Sequence, residues 1–209
     1  MKKLLVIVGP TAVGKSDLAI LLAKKYNGEI ISADSRQVYR DLDLGTGKVV
    51  RDKGDKKDFW SEGVLHYGID ILDVSNQYNI SDFQKYCNSK LKAIWRKGKL
   101  PIICGGSPLY VISVLEGWQF PKTKPDLKLR AELENLSTNE LYQKLLKVDR
   151  VRAKNIDSKN KRRLVRALEI VMNDTKINPL VKKPLKADTI VLGIKKDREE
   201  IKKLIGQRL

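Results

Sequence analysis

Residues 3–25 decide the fold. Lys3-Leu4-Leu5-Val6-Ile7-Val8 runs into Gly9-Pro10-Thr11-Ala12-Val13-Gly14-Lys15-Ser16, and Asp17-Leu18-Ala19-Ile20-Leu21-Leu22-Ala23-Lys24-Lys25 follows. The first run, rich in Leu, Val and Ile, reads as a buried strand. From Ser16 to Lys25 the leucines at 18, 21 and 22 fall on one side of a helix. The eight residues between them match G-x-x-x-x-G-K-[ST] in full, after a strand and before a helix, the context a phosphate-binding P-loop requires. The glycines let the backbone curl so that successive N–H groups point at phosphate oxygens. The helix adds its positive N-terminal end. Lys15 supplies a point charge for the terminal phosphate, and Ser16 a hydroxyl ligand for Mg²⁺. Gly9, Pro10, Thr11, Ala12, Val13, Gly14, Lys15 and Ser16 are therefore the candidate diphosphate- or nucleotide-binding residues. A chance match in a turn is the competing reading, which the strand–helix context disfavours. The motif specifies a phosphate chain and does not specify ATP.

Working outward, Glu29–Ala33 and Leu100–Cys104 read as further buried strands, and His66–Leu72 as another. Thr189–Ile194 reads as a last strand, with a helix from Asp197 onward. Ile80–Arg96 reads as a helix, with Ser81 as N-cap and Gln84 completing a capping box. Leu109–Leu115 continues as a helix after Gly105-Gly106. Strands alternating with helices predict an α/β fold, a P-loop NTPase-like core with a mostly parallel sheet. The alternation breaks in a charged, helical stretch bounded by prolines. We expect residues 1–116 and 187–209 to form the core and 117–186 a helical insertion.

The chain has 209 residues, 42% of them hydrophobic, ordinary for a soluble globular protein. No apolar run approaches bilayer length, and the run after Met1-Lys2-Lys3 stops at Gly9-Pro10 without a small-residue cleavage site, which speaks against a signal peptide and any membrane association. Cys87 and Cys104 have no metal or redox spacing, as suits a reducing cytosol, and the expected location is cytoplasmic. No apolar seam or heptad pattern stands out, which favours a monomer. Lys and Arg number 42 against 25 Asp and Glu, a net charge of +17. Such a surplus fits a nucleic-acid binder; a solubility strategy or a lysine-rich codon bias would produce it equally.

Asp34-Ser35 follows the second strand directly, at the carboxyl edge where open α/β sheets bind ligands. Asp34 is thus either a general base near the phosphates or an ordinary turn aspartate. Gly105-Gly106-Ser107 ends the Leu100–Cys104 strand on the same edge, and Ser107 either donates a hydrogen bond there or caps the next helix. Lys144–Arg166 holds ten basic residues against two acidic ones. Arg162, Arg163 and Arg166 lie at helical spacing beside Leu164, Leu168 and Val171, so one face packs while the other meets either solvent or a polyanion. His66, the single histidine, has no partner ligand or nucleophile and reads as structural. Trp95, on a helix with an apolar stripe, reads as core.

Taken together, GPTAVGKS at 9–16, ISADSRQVYRDLDLGTGK at 31–48, DFQKYCNSKLKAIWRKGKLPIICGGSPLY at 82–110, LEGWQFP at 115–121 and SKNKRRLVRALEIV at 158–171 resemble the tRNA dimethylallyltransferases, in that family's order and over most of the chain. The resemblance implies transfer of a dimethylallyl group from dimethylallyl diphosphate to N6 of the adenosine just 3′ of the anticodon, with that base flipped out of its stack. Thr11, Gly14, Lys15 and Ser16 would hold the diphosphate, with Mg²⁺ neutralising its charge, and Asp34 would accept the N6 proton. By the same resemblance Ser35, Arg36 and Gln37 would line the tRNA contact, with Asp34 among them. Ser107, where the family usually has threonine, would contact tRNA or assist at the reacting centre. Arg130 would meet tRNA at the start of the insertion, and the segment Arg162, Arg163, Leu164, Val165, Arg166 would contact the anticodon stem-loop. Family members continue past the equivalent of Leu209 into helices that embrace the tRNA; these are absent from this sequence, so the resemblance implies a complete diphosphate site but a reduced RNA surface. Two readings of other kinds stand beside it: a small-molecule kinase, which would release ADP, and a non-catalytic RNA-binding module.

Overall fold

The structure, a computed structural model, describes residues 1–54, 57–121, 125–173 and 181–206. The chain forms two compact units, Met1–Trp118 together with Lys182–Leu209, and Gln119–Val181.

The first unit is built on a six-stranded sheet. In chain order its elements are β1 (Lys3–Val8), α1 (Lys15–Tyr26), β2 (Gly28–Ser32), β3 (Phe59–Ser61), β4 (Val64–Tyr67), α2 (Ile80–Arg96), β5 (Leu100–Gly105) and α3 (Pro108–Leu115). The strand order is β3-β4-β2-β5-β1-β6, where β6 is Asp188–Gly193. Every pairing is parallel except the β3–β4 hairpin. The register sets Val8 opposite Gly105 and Ser32 opposite Cys104, so the loops that follow β1, β2 and β5 leave along one edge. Alternate residues face opposite sides, as the pleat requires. Leu4, Val6, Ile31 and Ile103 pack with Phe83 and Leu91 of α2 and Val111 of α3. Leu5, Ile7, Ile30 and Ile102 pack with Ala19, Ile20 and Ala23 of α1. Burial on both faces explains why the central strands are continuous apolar runs.

Three local expectations are corrected. The strand expected at His66–Leu72 ends at Tyr67; Ile71 and Leu72 instead donate to the carbonyl of Val38, so this segment ties down the loop after β2. Ser81 does not cap α2. It is already the second helical residue, and Asn79 is the cap, accepting from the Ser81 and Asp82 amides while Asp82 accepts from the Asn79 amide. Gln84 is buried and donates to the carbonyls of Ser113 and Trp118. His66 is buried, with Nδ1 on the carbonyl of Val64, and burial lowers its pKa. Trp95 packs beside the α2–α3 cluster and donates to the carbonyl of Lys3.

The second unit is helical: α4 (Leu127–Glu134), α5 (Thr138–Val148), α6 (Arg150–Asn155) and α7 (Lys161–Asn173). Asp126 caps α4, and Ser137 with Glu140 forms a capping box on α5. Leu133, Leu141, Leu145, Ala153, Leu164 and Leu168 make its core. A last helix, α8 (Arg198–Gly206), follows β6 in the first unit.

Candidate functional site

The loop between β1 and α1 folds as its composition demands. Gly9 has φ 156°, and a Cβ there would lie 2.5 Å from the carbonyl oxygen of Ile194, so only glycine lets the β6–α8 connection pass this close. Ala12 (φ 64°) and Gly14 (φ 87°) keep the chain winding until α1 begins at Lys15. No side chain caps α1, which leaves its first N–H groups for an anion. Beside it lies a cleft of 340 Å³ lined by Ala12, Val13, Gly14, Lys15, Ser16, Asp17, Lys196 and Leu204. Val13 is buried and anchors the loop from below, while Pro10 and Thr11 are exposed. Lys15 donates to the carbonyl of Pro10 across the loop. Thr11 borders a second hollow of 240 Å³, with Leu44, Lys48 and Ile205 among its walls.

The loops after β2 and β5 meet beside this cleft. A Cβ on Gly105 would lie 2.2 Å from the carbonyl oxygen of Ala33, a backbone approach no other residue permits. One residue on, Gly106 faces Gly9 and the Lys15 ammonium: a Cβ there would be 3.7 and 3.9 Å from them. The Ser107 amide donates to Ala33, and its hydroxyl accepts from the Ser35 amide at 3.3 Å rather than capping α3. Asp34 adopts turn geometry. Its Oδ1 accepts from the Arg36 and Gln37 amides at 2.8 and 3.4 Å, which aims the half-buried carboxylate and leaves Oδ2 open among the described residues. The turn aspartate and the base candidate are thus one and the same group. Burial pushes the Cys104 thiol up to about 12; Asp17 and Asp34 push the same way and Lys15 opposes, so all three charges act on one buried sulfur. Tyr110 is likewise raised, by burial first and then by Tyr39, Asp34 and Asp82.

Ser35 and Arg36 are exposed beside Asp34. Gln37 is not available in the same way: its amide accepts from Ser32 and donates to the carbonyls of Thr46 and Gly47, so it holds the 42–48 loop to β2. Lys48 does similar work, on Asp43, Asp70 and the carbonyl of Tyr39. Burial opposes its charge, but these partners hold its pKa above the ordinary value.

In the helical unit the arginines divide. Arg162 and Arg163 are exposed on α7. Leu164 and Val165 turn inward, 0% and 5% exposed, so their side chains support the basic face from beneath and cannot themselves meet an RNA. Arg130 and Arg166 converge on Glu169, which is 0% exposed. Arg130 grips it with Nε at 2.8 Å and Nη2 at 2.9 Å, Arg166 pairs with Oε2, and the Asp126 amide donates to Oε1. Glu169 fixes the two guanidinium groups, while the Arg130 and Arg166 side chains as a whole remain 31% and 36% exposed.

Sequence reasoning missed Lys196 and Leu204 as walls of the cleft beside the Gly9–Ser16 loop. They lie far from the motif in sequence, and the signal that could have found them is the tight Gly9–Ile194 approach, which only the fold reveals. Glu169 was also missed; a lone acid in RRLVRALE flanked by apolar residues is the trace it leaves.

A family model described as IPP transferase matches residues 37–209. A tRNA dimethylallyltransferase of Enterococcus faecalis is 43% identical over 100% of this chain and 68% of its own length. One from Bacillus cytotoxicus is 39% identical over 100% of this chain and 66% of its own. The chain therefore spans about two thirds of the length of such curated relatives. Among solved structures, the full-length tRNA isopentenylpyrophosphate transferase of Bacillus halodurans superposes with TM-score 0.64 and 35% identity, covering 100% of this chain and 65% of the other. A eukaryotic dimethylallyltransferase acting on tRNA superposes with TM-score 0.77 and 31% identity, covering 100% of this chain and 52% of the other.

Proposed function

The chain belongs to the IPP transferase family, and from that premise we propose that it transfers a dimethylallyl group from dimethylallyl diphosphate to N6 of the adenosine 3′-adjacent to the anticodon in tRNA. The observation that carries the reading is the convergence of the Gly105–Ser107 turn, Asp34 and the P-loop at one edge of the sheet, with Gly106 against Gly9 and Lys15. A loop suited to an anion beside a carboxylate supports the reading, because substitution at a diphosphate ester uses both.

The N6 amine attacks C1 of the donor. A C–N bond forms, the C–O bond to diphosphate breaks, and the N6 proton passes to Asp34. Asp34 suits the task because two backbone amides fix one oxygen and leave the other to accept. Diphosphate departs as an anion, and the N–H groups at the start of α1 with Lys15 stabilise the charge it gains. Ser107 holds the Ser35 segment in place beside Asp34. The donor set fits Mg²⁺, which takes hard oxygen ligands and keeps several waters. Ser16 supplies a hydroxyl in the cleft, with Asp17 adjacent in its lining, both oxygen donors of the kind the ion takes. Bound there, the ion would neutralise diphosphate charge. Ser35, Arg36, Arg162 and Arg163 are the exposed groups assigned to tRNA, and the partly exposed Arg130 and Arg166 side chains are assigned with them.

The test is label transfer from dimethylallyl diphosphate, with Mg²⁺, to an anticodon stem-loop. Label in a stem-loop with adenosine 3′ of the anticodon, and none in free AMP or in a stem-loop with another base there, is the expected result. Steady ADP release from ATP with a small acceptor, and no label, would replace this reading with the kinase.

A further inference from the structure

The phosphate cleft has a wall that the P-loop does not supply. Besides Ala12–Asp17, it is lined by Lys196 and Leu204, from the β6–α8 connection and α8. That connection is not loosely placed. The Ile194 amide donates to the carbonyl of Val8 at 2.9 Å, extending the β1–β6 ladder, and the Ile194 carbonyl lies so near Gly9 that no side chain fits between them. Lys196, two residues on, is thereby held over the loop. A diphosphate ester carries close to three negative charges at neutral pH. Lys15, the start of α1 and a bound Mg²⁺ would offset that charge while Asp17, in the same lining, opposes them, so a further cation in the cleft would strengthen the hold on the anion.

We propose that Lys196 is a second phosphate-binding cation of this cleft, contributed by the β6–α8 connection; this rests on the P-loop's holding the diphosphate. Its ammonium is paired with Glu200 one helical turn away, at 2.5 Å, with the side chains 33% and 50% exposed. Exposed pairs of this kind contribute little, so the lysine can exchange Glu200 for a phosphate oxygen, which carries more charge and is shared with Lys15. The pair stores Lys196 at the mouth of the cleft while no anion is bound.

The experiment is calorimetric titration of the protein with inorganic pyrophosphate and Mg²⁺. Lys196→Ala and Lys196→Met, the second keeping the aliphatic stem, should each weaken binding about tenfold or more, as loss of a charged hydrogen bond does. Lys196→Arg should restore most of the affinity, and Glu200→Gln should bind at least as tightly as wild type. Lys15→Ala serves as the control that should bind pyrophosphate hardly at all. Wild-type affinity in both Lys196→Ala and Lys196→Met, with Lys15→Ala defective, overturns the role of Lys196 and leaves the P-loop reading standing. Equal weakening by Glu200→Gln and Lys196→Met also overturns it, because it assigns the effect to the ion pair. Unchanged affinity in Lys15→Ala overturns the P-loop reading and this proposal with it.

Discussion

Replacing Glu169 by Gln should destabilise the helical unit by about 3 kcal/mol at neutral pH. The carboxylate is fully buried and receives the Asp126 amide, both Arg130 donors and Arg166. Burial alone would raise its pKa; hydrogen bonds from Arg130, Arg166 and the Asp126 amide outweigh burial and bring it from 4.5 down to about 2. At ~1.4 kcal/mol per pKa unit, that depression corresponds to about 3 kcal/mol favouring the folded, ionised state. Glutamine keeps the volume but sets an NH₂ group against a guanidinium and leaves two positive charges without a counter-charge, a loss of the ~3–5 kcal/mol class for broken buried pairs. Because the folded pKa is depressed, this stabilisation is fully present above the unfolded value of ~4.5 and is lost as pH falls through about 2. Urea unfolding followed by far-UV circular dichroism reads the helices of both units, those of Gln119–Val181 among them. The wild type should exceed the variant at pH 7, and the gap should shrink steadily as pH falls below ~4.5. Equal midpoints at pH 7, or a gap that does not change with acidification, would refute the argument.

Other outcomes follow from the same geometry. Gly105→Ala sets a methyl group 2.2 Å from the Ala33 carbonyl, backbone against backbone, and should cost at least the ~1–3 kcal/mol typical of overpacking, read from thermal unfolding. It should also lower transfer activity, since that approach positions Asp34 and Ser107. Arg162→Ala with Arg163→Ala should weaken stem-loop binding and reduce the slope of log K against log salt by about 1–2, with stability unchanged because both side chains are exposed. An unchanged slope would return that face of α7 to plain solvent exposure.

Much of the fold was legible because β1, β2 and β5 are written as apolar runs bounded by Gly, Ser or Asp, as strands buried on both faces of a parallel sheet must be; β6 is an equally apolar run although most of it is exposed. What escaped was short or depended on partners distant in sequence. Phe59–Ser61 is three residues long and too brief for a periodicity. The Ile69–Leu72 half of the expected strand is as apolar as a strand, yet it pairs with the Val38–Arg40 segment rather than continuing in the sheet. Asn79, two positions before Ser81, is the cap, a difference that hydropathy does not register. At the candidate site, the P-loop and the Asp34 and Ser107 turns were readable as motifs. The division of labour among their neighbours was not. Gln37 is taken up by the 42–48 loop, Leu164 and Val165 by the helical core, and Arg130 by Glu169 across 39 residues of chain, with Arg166 joining the same carboxylate from one turn away.

The most direct measurement is the single-turnover rate of N6 prenylation in an anticodon stem-loop with adenosine 3′ of the anticodon, at saturating dimethylallyl diphosphate, in wild type beside Asp34→Asn. The account predicts a C₅H₈ unit on that adenosine in the wild type, with the variant slowed by about 10²–10⁴-fold while binding the donor normally. Donor and stem-loop bound but no prenyl group transferred by the wild type, or an Asp34→Asn rate equal to wild type, would contradict it.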